Sequence, residues 1–143
     1  MRTLRLLGLL LAVTLLVQGC DSGRQHAGPD GRAVLDVWIH SGQPAERATL
    51  EQQVERFNAV QDNVKVKLTV LPEGTYNAQV QAAALAGELP ELLEFDGPFV
   101  YNYAWQGRLL ALDDLLPTEL HADLLPTIVT QGTYAGRLYS VGT

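Results

Sequence analysis

A-V-L-D-V-W-I-H, residues 33–40, is the most informative segment of this sequence. Its almost continuous run of apolar, β-branched and aromatic residues is typical of a central strand covered on both faces of a sheet. Residues 44–58 follow with a proline for the first helical turn and apolar residues at spacings of three and four. Residues 64–70, V-K-V-K-L-T-V, alternate apolar with polar side chains, as an edge strand with one wetter face does. This order predicts two parallel strands joined by a right-handed crossover.

Strands and helices continue to alternate downstream. Residues 76–84 carry apolar side chains at helical spacing before Gly87, a good helix stop. Residues 91–96 (E-L-L-E-F-D) predict a third short strand, and an apolar helix then runs from Gly97 to about Gln106. We therefore predict an α/β fold with a parallel sheet and helices on both faces. Further on we expect a short strand and turn at 109–116, helices at 117–125 and 127–133, and a last strand at 136–141.

Composition limits the classes of protein that fit. The chain has 143 residues, 10 Lys+Arg against 16 Asp+Glu, one cysteine and a formal net charge of −6. One cysteine excludes a disulfide framework, and an acidic chain without a basic run is a poor partner for nucleic acid. We expect one packed domain and no nucleic-acid partner.

The N-terminus has the pattern of an export signal. Two arginines precede an apolar run at residues 6–17, which is too short to span a membrane comfortably. The run ends in Val17-Gln18-Gly19-Cys20, which resembles the lipobox of bacterial lipoproteins. That resemblance implies cleavage before Cys20, acylation of its thiol and amino group, and anchoring to a lipid membrane. We predict a signal peptide at 1–19, a flexible tether at 20–32 and an α/β lobe at 33–143.

Three loops occupy the position where open parallel sheets bind ligands. They are His40-Ser41-Gly42-Gln43, Leu71-Pro72-Glu73-Gly74 and Asp96-Gly97-Pro98, each expected after a strand and before a helix. Each contains a glycine, which lets the backbone approach a ligand closely. The sequence thus predicts a binding site where these loops converge.

Catalytic and cofactor motifs are missing from the sequence. On one strand Asp36 and His40 would stand about 13 Å apart while Ser41 points to the other face, so the three cannot form a triad. Neither G-x-S-x-G, a phosphate-binding P-loop nor G-x-G-x-x-G occurs, and the three histidines are scattered. We expect no cofactor, no metal and no enzymatic activity. A carboxylate pair drawn from Glu46, Glu73 and Asp96 leaves glycoside cleavage open as an alternative.

The residues at the three loops suit a neutral polyol. Carboxylates and amides accept paired hydrogen bonds from vicinal hydroxyls, and aromatic faces cover the apolar face of a pyranose. Tyr101 and Tyr103 are as consistent with core packing as with ligand contact. The candidate ligand-binding residues are His40, Ser41, Gly42, Gln43, Glu73, Tyr76, Asp96, Gly97, Tyr101 and Trp105.

The segment from Glu88 to Leu116, E-L-P-E-L-L-E-F-D-G-P-F-V-Y-N-Y-A-W-Q-G-R-L-L-A-L-D-D-L-L, resembles the lobe-one signature of family 1 extracellular solute-binding proteins. These are the maltose-binding-protein-like sugar receptors of ABC importers. Val37 to Glu46 also resembles their first strand and loop. The resemblance implies lobe 1 of a periplasmic binding protein type II fold, with sugar contacts at residues 41–43 and 95–97.

The resemblance also implies partners and a location. A sugar would be captured and presented to ABC permease subunits from the periplasmic side of the cell membrane, with domain closure as the signal. Family members have a second lobe and are considerably longer, so we interpret the chain as an N-terminal fragment that holds half of a site. Such a fragment is expected to bind sugar weakly if at all. The alternatives are a surface-anchored glycosidase or esterase, and a lipoprotein scaffold.

Replacing the lipidated cysteine tests the anchor. Cys20→Ser removes the thiol that carries the diacylglycerol, so the protein should leave the membrane fraction while its sugar affinity is unchanged. Sedimentation with membrane vesicles measures the first effect and calorimetry the second. A Cys20→Ser protein that still sediments with vesicles would contradict the lipobox interpretation.

Overall fold

The computed structural model describes residues 27–142, and a three-stranded parallel sheet lies at its centre. The strands are β1 (Ala33–His40), β2 (Val64–Leu71) and β3 (Leu92–Leu93), in the order β2-β1-β3. The predictions of an α/β fold, a central β1 and an edge β2 are confirmed. The predicted signal peptide and Cys20 lie outside the described residues.

The two sides of β1 are paired very unequally. On one side eight residue pairs run from Ala33 opposite Val64 to His40 opposite Leu71. On the other side the strand pairing covers only Val37 opposite Leu92 and Trp38 opposite Leu93. The prediction of a strand over residues 91–96 is therefore wrong at both ends.

Side chains replace the missing part of β3. The carboxylate of Glu91 accepts the backbone N–H of Asp36 at 2.8 Å, and the carboxylate of Glu94 accepts that of His40 at 3.2 Å. These glutamates flank the two paired residues of β3. They satisfy backbone donors of β1 that a longer strand would have paired, which is why a two-residue strand suffices here.

Helix α1 (Pro44–Val60) crosses from β1 to β2 as predicted, beginning at its proline. It packs on β2, where the Asn58 side chain donates to the carbonyl of Val66 at 2.9 Å and accepts its N–H at 2.8 Å. No side chain of α1 is buried, and Val60 is 80% exposed. The cover of β1 is likewise partial, because Ile39 is its only buried residue, which corrects the prediction of a strand covered on both faces.

The main core forms between the sheet, α2 (Tyr76–Ala86) and α3 (Gly97–Trp105). Tyr76, Val80 and Ala84 are buried at the predicted helical spacing, and Tyr103 of α3 joins them. Gly87 ends α2 with φ 74°, a left-handed conformation that favours glycine. Partly buried residues complete the cluster: Trp38, Leu71, Leu89, Leu93, Phe95 and Leu109.

The C-terminal part forms a separate small hairpin. Helices α4 (Thr118–Asp123) and α5 (Pro126–Gly132) lead into antiparallel strands β4 (Thr133–Tyr134) and β5 (Arg137–Leu138). The predicted strand at 136–141 is therefore short and does not join the parallel sheet. The turn residues Ala135 and Gly136 both have positive φ, as in the tight turns that join antiparallel strands. Residues 109–116 form a turn but no strand.

The end of the predicted tether is ordered in the structure. Residues 27–32 form a turn in which Arg32 donates to Asp30 at 2.9 Å, and this hydrogen bond lowers the pKa of the Asp30 carboxyl. Arg32 also donates to the carbonyl of Asn58 at 3.1 Å. Over residues 27–142 we find no helix that is long and apolar enough to cross a membrane.

Tyr76 connects the core to β1 and to the segment that follows β3. Its hydroxyl donates to the carbonyl of Glu94 at 2.6 Å and lies 3.2 Å from that of Trp38. The side chain is 3% exposed, and burial, followed by the charge of Glu94, raises the pKa of the hydroxyl to about 12. Since the folded state favours the neutral hydroxyl, its contribution to stability is complete below pH 10 and is lost as the pH rises towards about 12.

Tyr76→Phe tests this connection. Removing the hydroxyl should lower the free energy of unfolding at pH 7 by about 1–2 kcal/mol, because the partly buried carbonyl of Glu94 loses its donor. The loss of stability that Tyr76 ionisation causes above pH 10 should disappear as well. Urea denaturation at pH 7 and above pH 10 measures the free energy of unfolding in each case. Tyr101→Phe is the control, since that hydroxyl is exposed and makes a long 3.4 Å contact; equal effects of the two variants would contradict the assignment.

Candidate functional site

The three predicted loops lie at the same edge of the sheet. Because β1, β2 and β3 are parallel, their carboxyl ends point the same way, and His40 at the end of β1 pairs with Leu71 at the end of β2. Asp96 follows β3 after two residues and precedes α3. We call residues 40–43, 71–74 and 96–98 the rim loops.

The first two rim loops are in direct contact. A Cβ atom placed on Gly42 would lie 2.5 Å from Oε2 of Glu73, so the carboxylate rests against the glycine backbone. Any other residue at position 42 would have to displace Glu73. The first loop also folds on itself, because Ser41 Oγ donates to the carbonyl of Gln43 at 3.0 Å. Gly42 therefore has a structural role in the contact between the two loops.

His40 lies in a small cluster behind the rim. Its ring centroid is 5.0 Å from that of Tyr76, and its Nε2 is 3.9 Å from Oε2 of Glu94. Sequence reasoning placed His40 and Tyr76 in the site but missed Glu94. The available signal was the pair of glutamates at positions 91 and 94, on either side of the two apolar residues of β3.

Tyr76 supports the rim from within the core. Its ring is buried and its hydroxyl is already bonded to backbone carbonyls. The expectation that its ring faces a ligand does not agree with this position. Tyr76 instead fixes the segment that leads to the third loop.

The third loop presents a free carboxylate. Asp96 is the residue before α3 and is exposed; its carbonyl accepts the N–H of Phe99 at 2.9 Å, while its side chain makes no capping bond. No atom lies within 4 Å of a Cβ built on Gly97. Asp96 and Gly97 thus stand at an open surface where a ligand can reach them.

Trp105 is not brought to the rim. It is the last residue of α3, eight residues after Gly97 and hence about 12 Å along the helix axis. Its side chain is 70% exposed at that far end. Tyr101 turns towards α5, where its hydroxyl lies 3.4 Å from the carbonyl of Thr130.

The structure also has a groove of about 410 Å³ that none of the predicted binding residues lines. Asp36 in this groove pairs with Lys67 at 2.9 Å, in keeping with a structural carboxylate. The rim itself is an open surface. Among residues 27–142 no group of three His, Cys, Asp or Glu side chains is placed to hold a metal ion. The groove is lined by Asp36, Trp38, Gly87, Glu88, Leu89, Pro90 and Glu91.

Charge at the rim is acidic. Glu73, Glu94 and Asp96 are exposed carboxylates, and the rim loops contain neither lysine nor arginine. Arg47 follows the first loop, but its guanidinium pairs with Glu51 at 2.8 Å along α1. Chemically the rim offers hydrogen-bond acceptors, one hydroxyl, one amide and backbone at Gly42 and Gly97.

Comparison with known proteins gives relatives but no family model that matches the chain. An uncharacterized lipoprotein in the oleD 5′ region of Streptomyces antibioticus is 28% identical over 132 residues. The match covers 92% of this chain and 29% of that protein.

Solved structures resemble the fold closely. The GacH receptor of Streptomyces glaucescens, described unliganded and in complex with acarbose, matches with a TM-score of 0.67 at 29% identity. A family 1 extracellular solute-binding protein from Alicyclobacillus acidocaldarius matches with a TM-score of 0.69 at 20% identity, which bears on the fold alone. The first match covers 76% of this chain and the second 77%, and each covers 28% of the other protein.

The chain thus spans less than a third of the length of these relatives. The predicted resemblance is nevertheless confirmed: over three quarters of its length the chain has the fold of part of one lobe of the maltose-binding-like, family 1 extracellular solute-binding proteins.

Proposed function

We propose that the rim loops form one side of a sugar-binding site, in the substrate-binding component of an ABC importer. The observation that carries this proposal is the shared fold at 29% identity with GacH, a receptor crystallised with acarbose. The rim lies at the carboxyl edge of the parallel sheet, where ligands of such sheets bind.

The chemistry of the rim supports a hydroxyl-rich ligand. Asp96 and Glu73 provide carboxylate oxygens that accept hydrogen bonds from sugar hydroxyls, and Gln43 provides both a donor and an acceptor. Exposed Gly97 allows close approach to the backbone. Ser41 adds a hydroxyl, although its hydrogen is already donated to the carbonyl of Gln43.

The charge of the rim supports a neutral sugar over an anionic one. The rim loops carry two carboxylates, Glu73 and Asp96, and neither lysine nor arginine, so they would repel a sugar acid or a phosphosugar. The ligand class proposed is a neutral mono- or oligosaccharide.

The proposed location is the periplasmic side of the cell membrane. The relative from Streptomyces antibioticus is a lipoprotein, which supports lipid attachment through Cys20. The sugar ligand, the permease subunits and the membrane are then the partners, and closure of two lobes around the sugar is the signal to the permease.

Calorimetry of the full-length protein with a sugar panel tests the proposal. We expect saturable heat with at least one of maltotriose, acarbose, mannotriose and tagatose, and none with trigalacturonate. Binding of trigalacturonate alone would overturn the choice of a neutral sugar. Release of reducing sugar from the panel would instead favour the glycosidase alternative.

Asp96→Ala tests the third loop. The loss of a charge-assisted hydrogen bond should weaken sugar binding by about 1.5–3 kcal/mol without changing the fold, because the Asp96 side chain makes no capping bond. Asp62→Ala is the matched control, since Asp62 is exposed and precedes β2 at the opposite edge of the sheet. Unchanged affinity in Asp96→Ala would remove Asp96 from the site.

A further inference from the structure

Glu94 links the first rim loop to the third strand. Its carboxylate oxygen Oε2 accepts the backbone N–H of His40 at 3.2 Å. The same oxygen lies 3.9 Å from His40 Nε2, within ion-pair distance of a protonated imidazole. Because His40 ends β1 and begins the first rim loop, this contact acts at the point where the loop leaves the sheet.

The backbone of Glu94 is itself fixed on two sides. Its N–H donates to the carbonyl of Trp38 at 2.9 Å, and its carbonyl accepts the hydroxyl of Tyr76 at 2.6 Å. Because this backbone is held, the point from which the Glu94 side chain extends to His40 is fixed. Two residues later the chain reaches Asp96, so the support also sets the spacing between the first and third loops.

We propose that Glu94 is a positioning residue for the rim: acting through His40, it holds residues 40–43 in place opposite Asp96. A role for this positioned loop in sugar binding rests on the function proposed above. The order of the loop itself can be measured without any ligand.

Glu91, on the other side of β3, is a matched control. Its carboxylate accepts the N–H of Asp36 at 2.8 Å, a bond of the same kind four residues earlier in β1. Removing either glutamate costs one side-chain bond to the backbone of β1. Only Glu94 acts at the rim, so the two variants separate positioning of the loop from general stability of the sheet.

Two further substitutions of Glu94 separate the effect of side-chain length from the effect of its charge. Glu94→Gln keeps the length of the side chain and an acceptor oxygen but loses the charge. Glu94→Asp keeps the charge but is one methylene shorter, which withdraws the carboxylate from the His40 N–H. Positioning by the hydrogen bond predicts that Gln preserves the loop and that Asp does not.

Amide hydrogen exchange of the full-length protein without ligand provides the test. Glu94→Ala and Glu94→Asp should speed exchange of the His40 amide, the N–H that Glu94 accepts, by about tenfold, the effect of losing one backbone hydrogen bond, while Glu94→Gln stays within about threefold of wild type. Glu91→Ala should speed exchange at Asp36 and leave residues 40–43 unchanged. If Glu94→Ala does not fold, the Asp and Gln variants still decide the outcome.

Exchange of the His40 amide that is unchanged in Glu94→Asp, or equally fast in Glu91→Ala, would overturn the proposal. Maltotriose affinity, measured on the same proteins, reports separately on the function. Faster exchange in Glu94→Asp with no wild-type binding to any sugar of the panel would sustain the positioning role and refute the proposed function.

Discussion

Parallel pairing of β1 with strands on both sides is the constraint on which the rest of the structure depends. It turns the carboxyl ends of β1, β2 and β3 to one edge, so that loops far apart in sequence meet there. Gly42 and Glu73 are 31 positions apart and yet in contact because of this pairing. The rim is therefore a consequence of strand direction, and its chemistry is a consequence of the residues that follow each strand.

The weak side of this arrangement is β3, which pairs over only two residues. Three side-chain contacts compensate for the short pairing: Glu91 to Asp36, Glu94 to His40, and the hydroxyl of Tyr76 to the carbonyls at 38 and 94. Each connects β1 to the segment that leads into α3. The contacts that stabilise β3 thus also determine the position of Asp96 in the candidate site.

Much of the fold follows from local sequence patterns. The apolar run of β1, the alternation in β2 and the spacing of Tyr76, Val80 and Ala84 predicted their elements correctly, because burial against a sheet selects such patterns. The prediction of a strand over residues 91–96 was too long. Only residues 92–93 pair with β1, and on either side of them the side chains of Glu91 and Glu94 make the bonds. The strand predicted at 136–141 is instead part of a hairpin at residues 133–138, because the turn at Ala135 and Gly136 brings the chain back on itself.

The candidate site was predictable as a set of loops but not as a set of orientations. Strand order placed residues 40–43 and 96–97 at one edge, whereas Tyr76 turned inward and Trp105 fell at the far end of α3. Residue type alone does not reveal which way an aromatic side chain faces or that a glutamate bonds to a strand across the sheet. Those facts depend on tertiary contacts that a one-dimensional pattern does not carry.

Crystallography of the full-length protein grown with maltotriose or acarbose would test the central claim most directly. Sugar density is expected against residues 41–43 and the carboxylate of Asp96, on the carboxyl edge of the parallel sheet. Density confined to the groove beside Asp36 and Trp38, or to the surface around Trp105, would contradict it.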